Sequence, residues 1–205
     1  MSTHLATTGV LLHVGCGRKS IQDTPFAGSG WSELRFDIDS DVQPDVQGSM
    51  LNMQGIPDAS VNAVFSSHNI EHLEAHQVVQ ALREFRPVLK PGGFCLITCP
   101  DLQSLGAALS ADQLLKPLYT SRSGPICALD ILYGHSVSLA DGHQHMAHRC
   151  GFTASSLRHE LNKAEFRRVI TARRPNHFEL WALAAGEELE ATKLEPLART
   201  LFTRN

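Results

Sequence analysis

LLHVGCGRKS, Leu11 to Ser20, sets an apolar run against two glycines that flank a cysteine. A short apolar run that stops at glycine reads as a buried strand followed by a tight turn. We place that strand over Val10–Val14. Gly15 and Gly17 then free the backbone to turn sharply and to approach a ligand with no Cβ in the way. In an open α/β sheet, ligands bind beyond the carboxyl ends of the strands. The stretch therefore predicts both a fold class and the place of a site.

Further strands are expected at Leu34–Ile38, Val46–Gly48, Val61–Phe65, Phe94–Thr98, Arg168–Ala172 and Phe178–Ala184. Val78, Leu82, Phe85 and Leu89 recur at helical spacing, so a helix lies between the fourth and fifth strands. Pro87, lacking an N–H, should kink or end it. Lys90-Pro91-Gly92-Gly93 is a turn by composition. Leu102–Tyr133 reads as helical with breaks, and Thr153 as the N-cap of a helix through about Ala164. Strands alternating with helices argue for a mainly parallel sheet, with the short-linked last pair antiparallel. Arg18–Glu33 has room only for a short helix, and Asp41–Gln47 has room for no crossover helix. The segment 187–205 reads as a charged tail with no mate, after a single domain spanning 1–186.

The chain has 205 residues, is 42% hydrophobic and 19% charged, and has a net charge of −3. This is a globular composition with one sizeable core. Its charge gives no reason to expect nucleic acid or an anionic membrane. Five scattered cysteines, odd in number and without a CxxC pair, suggest free thiols in a reducing compartment. No basic start precedes an apolar signal core, and no apolar run is long enough for a bilayer. The cytoplasm is the expected location, and no membrane partner is expected.

Asp37 closes the second strand about twenty residues beyond the glycines, where a carboxylate can accept hydrogen bonds from both hydroxyls of a ribose. The full GxGxxG cradle for a diphosphate is missing, because the glycine after Gly17 is Gly28. An adenosine ligand without a diphosphate needs the carboxylate and the bare turn alone. That points to S-adenosylmethionine and away from NAD or FAD.

From Leu11 to Leu102 the chain resembles the class I S-adenosylmethionine-dependent methyltransferases, in particular the type 11 group. Leu12-His13-Val14-Gly15-Cys16-Gly17 resembles the first motif and Phe36-Asp37-Ile38-Asp39 the end of the second strand. Gly48-Ser49-Met50-Leu51 is similar to the segment passing the adenine. Ser66-Ser67-His68-Asn69-Ile70-Glu71-His72-Leu73 resembles the signature after the fourth strand, and Leu89-Lys90-Pro91-Gly92-Gly93 the turn before the fifth. The resemblance implies a Rossmann-like, seven-stranded, mainly parallel sheet with the last strand antiparallel and helices on both faces. It implies S-adenosyl-L-methionine as cofactor, held by Gly15, Cys16, Gly17, Asp37, Ile38, Ser49, Met50 and Ser66. It also implies a small-molecule acceptor.

The sequence departs from the family at His13, where Asp or Asn is usual, at Ser49 for a common Asp, and at Glu165 for a usual glycine. The N-terminal helical cap of many relatives is not expected, with nine residues before the first strand. A lid-like insert at about 102–152, or a second copy of the chain in a homo-oligomer, must then cover the acceptor. His68, His143 and His148 are the catalytic candidates, since histidine titrates near neutral pH. His143, His145, His148 and Cys150 match no strong zinc spacing, so no metal is assigned. The Asp141–Phe152 loop, polar and flanked by glycine, suits a mobile lid. A thiol nucleophile at Cys16 is not expected. Two rivals remain: a catalytically inactive cofactor-binding regulatory or partner subunit, and a dinucleotide oxidoreductase.

Overall fold

The computed structural model describes residues 8–28, 30–121 and 123–203. The expectation of a missing N-terminal cap falls largely on residues 1–7, outside the described residues. β1 (Thr8–Val14), β2 (Gly30–Asp37), β3 (Val46–Gln47) and β4 (Val61–Ser67) are followed by α1 (Val78–Val88) and β5 (Leu89–Pro100). Next come α2 (Leu102–Ser110), β6 (Pro117–Ser121), β7 (Gly124–Cys127), α3 (Ala128–Tyr133) and α4 (Ser136–Ala140). α5 (Ala154–Lys163), β8 (Arg168–Arg174), β9 (Glu179–Ala185) and α6 (Ala191–Thr203) complete the chain.

Seven strands form one sheet in the order β3-β2-β1-β4-β5-β9-β8. The first five pair in parallel, while β9 runs antiparallel to both β5 and β8. Order reverses at β1, whose neighbours are β2 and β4, so the crevice for a ligand opens beyond Val14. The expected turn at Lys90–Gly93 is a bulge inside β5. Val61 pairs with Leu89 and Ala63 with Phe94, and Gly92 takes φ +76° in the looped-out residues. Pro87 sits one residue from the end of α1, where it disrupts little. Thr153 caps α5, its hydroxyl accepting from the Ser156 N–H at 3.3 Å.

Alternation along the strands divides the core between two faces. Leu12, Val64, Ile97 and Ala182 meet Leu82 and Phe85 of α1 and Leu157 and Leu161 of α5. Leu11, Phe65, Leu96 and Leu183 meet Leu194, Leu197 and Leu201 of α6, with Phe26 beside them. The terminal segment is thus not a tail without a mate. Its apolar residues recur at helical spacing, and α6 lays them on the face left bare by the single-turn link between β1 and β2.

The insert also differs from the helical expectation. β6 and β7 form an antiparallel hairpin between two helices, with Pro117 at the first position of its strand, where a missing N–H is tolerated. Leu105, Ile126, Ala128 and Ile131 give the insert a small core of its own. Asp101 fastens it to the sheet. Fully buried, it caps α2 through the Gln103 N–H (3.0 Å) and accepts from Arg173 Nε (2.7 Å) and Ser104 Oγ (2.6 Å).

Candidate functional site

The turn after β1 is held by the protein's own groups. The Gly15 N–H donates to the Phe36 carbonyl at 2.8 Å, and Asn69 Nδ2 donates to the carbonyls of Val14 (2.7 Å) and Gly15 (3.2 Å). Gly15 and Gly17 adopt φ of +62° and +53°, in the region that favours glycine. Asp37 accepts the Gly17 N–H on Oδ2 at 2.8 Å and the Asp39 N–H on Oδ1 at 3.0 Å. A carboxylate offers about four lone-pair positions, so roughly one per oxygen is left for a ligand.

A cavity of about 370 Å³ opens at this point. Gly15, Gly17, Asp37, Ile38, Ser49 and Met50 line it, together with His68, Asn69, His72, His145, Met146 and Arg149. Ile38 is 63% exposed, an apolar side chain laid open beside the cavity. Six of the eight residues expected to hold the cofactor therefore converge. Cys16 and Ser66 do not line the cavity. Cys16 points into the core, 1% exposed, and burial pushes its thiol up to about 11, so it is no nucleophile at neutral pH. Ser66 is fully buried in β4, while its neighbour Ser67 lines the second cavity, as strand alternation requires.

His13 does not reach the ligand either. It is buried, with Nδ1 2.7 Å from Glu33 Oε1, and Glu33 Oε2 in turn accepts the Ile21 N–H at 2.9 Å. The histidine at the family's acidic position thus ties β1 to β2 and the loop between them.

A second cavity of about 470 Å³ lies alongside. Tyr119, Ser121, His135 and Ser138 of the insert line it, facing Lys19, Arg174, Glu179 and Trp181. Arg174 stacks 4.0 Å over the Trp181 ring and lies 3.7 Å from Glu179. His68 and Met146 line both cavities. His68 takes φ +54°, uncommon outside glycine, and its Nδ1 and Nε2 lie 3.3 Å from Glu71 and 3.6 Å from Glu179. Burial alone would lower its pKa, but the Glu179 and Glu71 carboxylates outweigh it and raise it to about 9. The two carboxylates therefore favour the imidazolium form of His68. Burial also works against Glu179 ionising, yet His68 and the Trp181 N–H hold it down to about 2.

The other two catalytic candidates stand apart from both cavities. His143 is exposed, its ring 5.8 Å from that of His145. His148 turns inward, Nδ1 donating to the Ile131 carbonyl at 2.8 Å. Nor is all of Asp141–Phe152 free to move. The N–H groups of Arg149 and Cys150 donate to the Glu71 carbonyl, at 2.8 and 3.2 Å, and the Leu102 N–H donates to Phe152.

The sequence matches the family model described as a methyltransferase domain over residues 12–97, from β1 into β5. The seven-stranded sheet has the Rossmann-like methyltransferase fold. Among solved structures the domain is similar to a protein from Pyrococcus horikoshii OT3, with TM-score 0.58 and 15% identity, over 90% of this chain and 84% of that one. It is similar to a SAM-dependent methyltransferase from Archaeoglobus fulgidus, with TM-score 0.55 and 15% identity, over 85% of each chain. It is also similar to the 1,6-didemethyltoxoflavin-N1-methyltransferase of Burkholderia thailandensis, solved with 1,6-didemethyltoxoflavin and S-adenosylhomocysteine. There the TM-score is 0.54 at 16% identity, over 88% of this chain and 72% of that one. At such identities the likeness is one of fold. No curated protein matches the sequence. Among the described residues, no helix is long and apolar enough to cross a membrane.

Sequence reasoning missed Asn69, which pins the glycine turn, and Tyr119 and Glu179, which wall the second cavity. Asn69 lay inside the segment quoted for the fourth strand. The other two carry no local signal, because a hairpin and a distant strand bring them in.

Proposed function

We propose that this chain transfers the methyl group of S-adenosylmethionine to a small-molecule acceptor. The observation that carries the reading is the pair of adjoining cavities that share His68 and Met146. One offers the bare turn, Asp37 for a ribose and the apolar Ile38 and Met50 for an adenine. The other, of a volume suited to a small molecule, is walled by aromatic and charged side chains. Methyl transfer is an in-line displacement at a carbon already activated by the sulfonium. The chain's task is to align a nucleophile behind that carbon and to exclude water. An acceptor lying between Tyr119 and Trp181 would approach past His68 and Met146. The imidazolium of His68, flanked by two carboxylates, orders the boundary without taking a proton. Five free thiols support the expectation of a reducing, cytoplasmic setting.

Calorimetry with S-adenosylhomocysteine, followed by a screen of small acceptors for cofactor turnover, tests this. Wild-type protein should bind, and Asp37→Asn should bind at least tenfold more weakly, since hydrogen bonds to a charged group are worth roughly 1.5–3 kcal/mol each. Equal binding by the two proteins would overturn the ribose assignment. Binding with no turnover on any acceptor would favour the inactive, partner-subunit reading.

A further inference from the structure

Glu71 is fully buried, and neither of its carboxylate oxygens has a hydrogen-bond partner among the described residues. An unsatisfied buried carboxylate is costly, so its setting calls for an explanation. His72 and His148 stand beside it, and one donor atom from each of the three side chains lies within 4.8 Å of the others. The two imidazole rings are 5.0 Å apart.

The tautomers follow from their partners. His72 Nδ1 lies 3.1 Å from the Ala147 carbonyl, and His148 Nδ1 lies 2.8 Å from the Ile131 carbonyl. A carbonyl oxygen only accepts, so both Nδ1 atoms carry the proton. In its neutral form each ring keeps a lone pair on Nε2. One ligand atom from each of the three side chains thus meets the others, and the nearby cation is His68. His68 approaches Glu71 Oε1 at 3.3 Å outside hydrogen-bonding geometry, which leaves Oε2 free. A histidine oriented through Nδ1–H to a backbone carbonyl, with Nε2 turned inward, is the usual arrangement of a metal ligand.

We propose that Glu71, His72 and His148 bind a divalent first-row transition cation such as Zn²⁺. The ligands come from two segments, the turn after β4 and the loop before α5. The bonds from Arg149 and Cys150 to the Glu71 carbonyl hold those segments together, so the set is built before any ion arrives. Two nitrogens and a carboxylate oxygen suit zinc and its neighbours better than magnesium or calcium. Three protein donors leave coordination positions for water or for an oxygen of a ligand, and His72 borders the 370 Å³ cavity. The expected histidine cluster is divided here: His148 joins the site, while His143 and His145 pair on the surface. Cys150 turns its Sγ to the Ile70 carbonyl at 3.4 Å and takes no part.

The proposal stands apart from methyl transfer and is tested without it. Untagged, chelator-stripped full-length protein is titrated with Co²⁺, read by visible absorption, and with Zn²⁺ against a chromophoric chelator. One equivalent should bind to wild type. Glu71→Gln and His148→Ala should each weaken it at least tenfold, and the double substitution His143→Ala, His145→Ala should leave it unchanged. Absence of stoichiometric uptake by the wild type overturns the proposal, whether or not the core variants fold. Uptake that survives in Glu71→Gln and His148→Ala but is lost in the surface pair overturns it as well.

Discussion

Gly15 and Gly17 share a backbone conformation but not a reason for being glycine. A Cβ on Gly15 would stand 1.6 Å from Asn69 Nδ2, whereas one on Gly17 meets nothing within 4 Å. Gly15→Ala must therefore expel Asn69 and release the turn. It should abolish S-adenosylhomocysteine binding and lower the urea midpoint sharply. Gly17→Ala bears only the left-handed backbone penalty, about 1–2 kcal/mol, and should fold with a modest loss. Equal midpoints for the two variants would refute the distinction. The need for glycine was legible in the sequence. Its cause at Gly15 was not, because the clash is with a side chain 54 positions away in the chain. Glu71 shows the same limit. Its letter is that of an ordinary surface acid, and only the packing of two distant segments buries it beside His72 and His148.

At the scale of elements, one carboxylate ties the start of α3 to the start of α4. Asp130 accepts from the Cys127 N–H (3.0 Å) and thiol (2.9 Å), and from the Ser136 N–H (2.9 Å) and hydroxyl (2.6 Å). Burial opposes its ionised form, but these four bonds outweigh it and hold its carboxyl well below the usual range. A carboxyl depressed in the folded state adds stability that is complete above its unfolded pKa, near 4, and is lost as pH falls further. Wild-type protein should therefore lose stability below about pH 4 more steeply than Asp130→Asn, in urea midpoints followed from pH 6 to pH 3. Parallel curves would show that Asp130 does not couple to folding. The central strands β1, β4 and β5 were legible because each contains an apolar run bounded by turn residues. The β6–β7 hairpin was not, since its residues are mixed and its pairing is stabilised by contacts with α2 and α3 that no local period announces.

For the whole molecule, the two sheet faces are covered from different places in the chain. α1 and α5 serve one face as crossovers, and the other depends on the last helix. Leu201 is 4% exposed, within the cluster that includes Phe65, Trp181 and Leu183. Leu201→Ala should cost roughly 2–4 kcal/mol, seen as a drop in the denaturation midpoint, although Leu201 lines neither cavity. A midpoint within error of wild type would show that the helix is dispensable. The charges of 187–205 concealed this role, since a helix with one apolar stripe reads as polar on average.

The position of β9 has a consequence for synthesis. Among the described residues, β8 joins the sheet through β9 alone, and β9 alone pairs with the edge of β5 away from β4. A nascent chain emerges from its N-terminus, so β1 to β5 can assemble while the closing strand and the final helix are still inside the ribosome. Until residues 179–203 are released, the edge of β5 is unpaired and the face carrying Leu11, Phe65 and Leu96 is bare. Such an edge is a template for pairing with another chain. Transcripts truncated between codons 100 and 179 should therefore yield aggregated rather than merely unstable product.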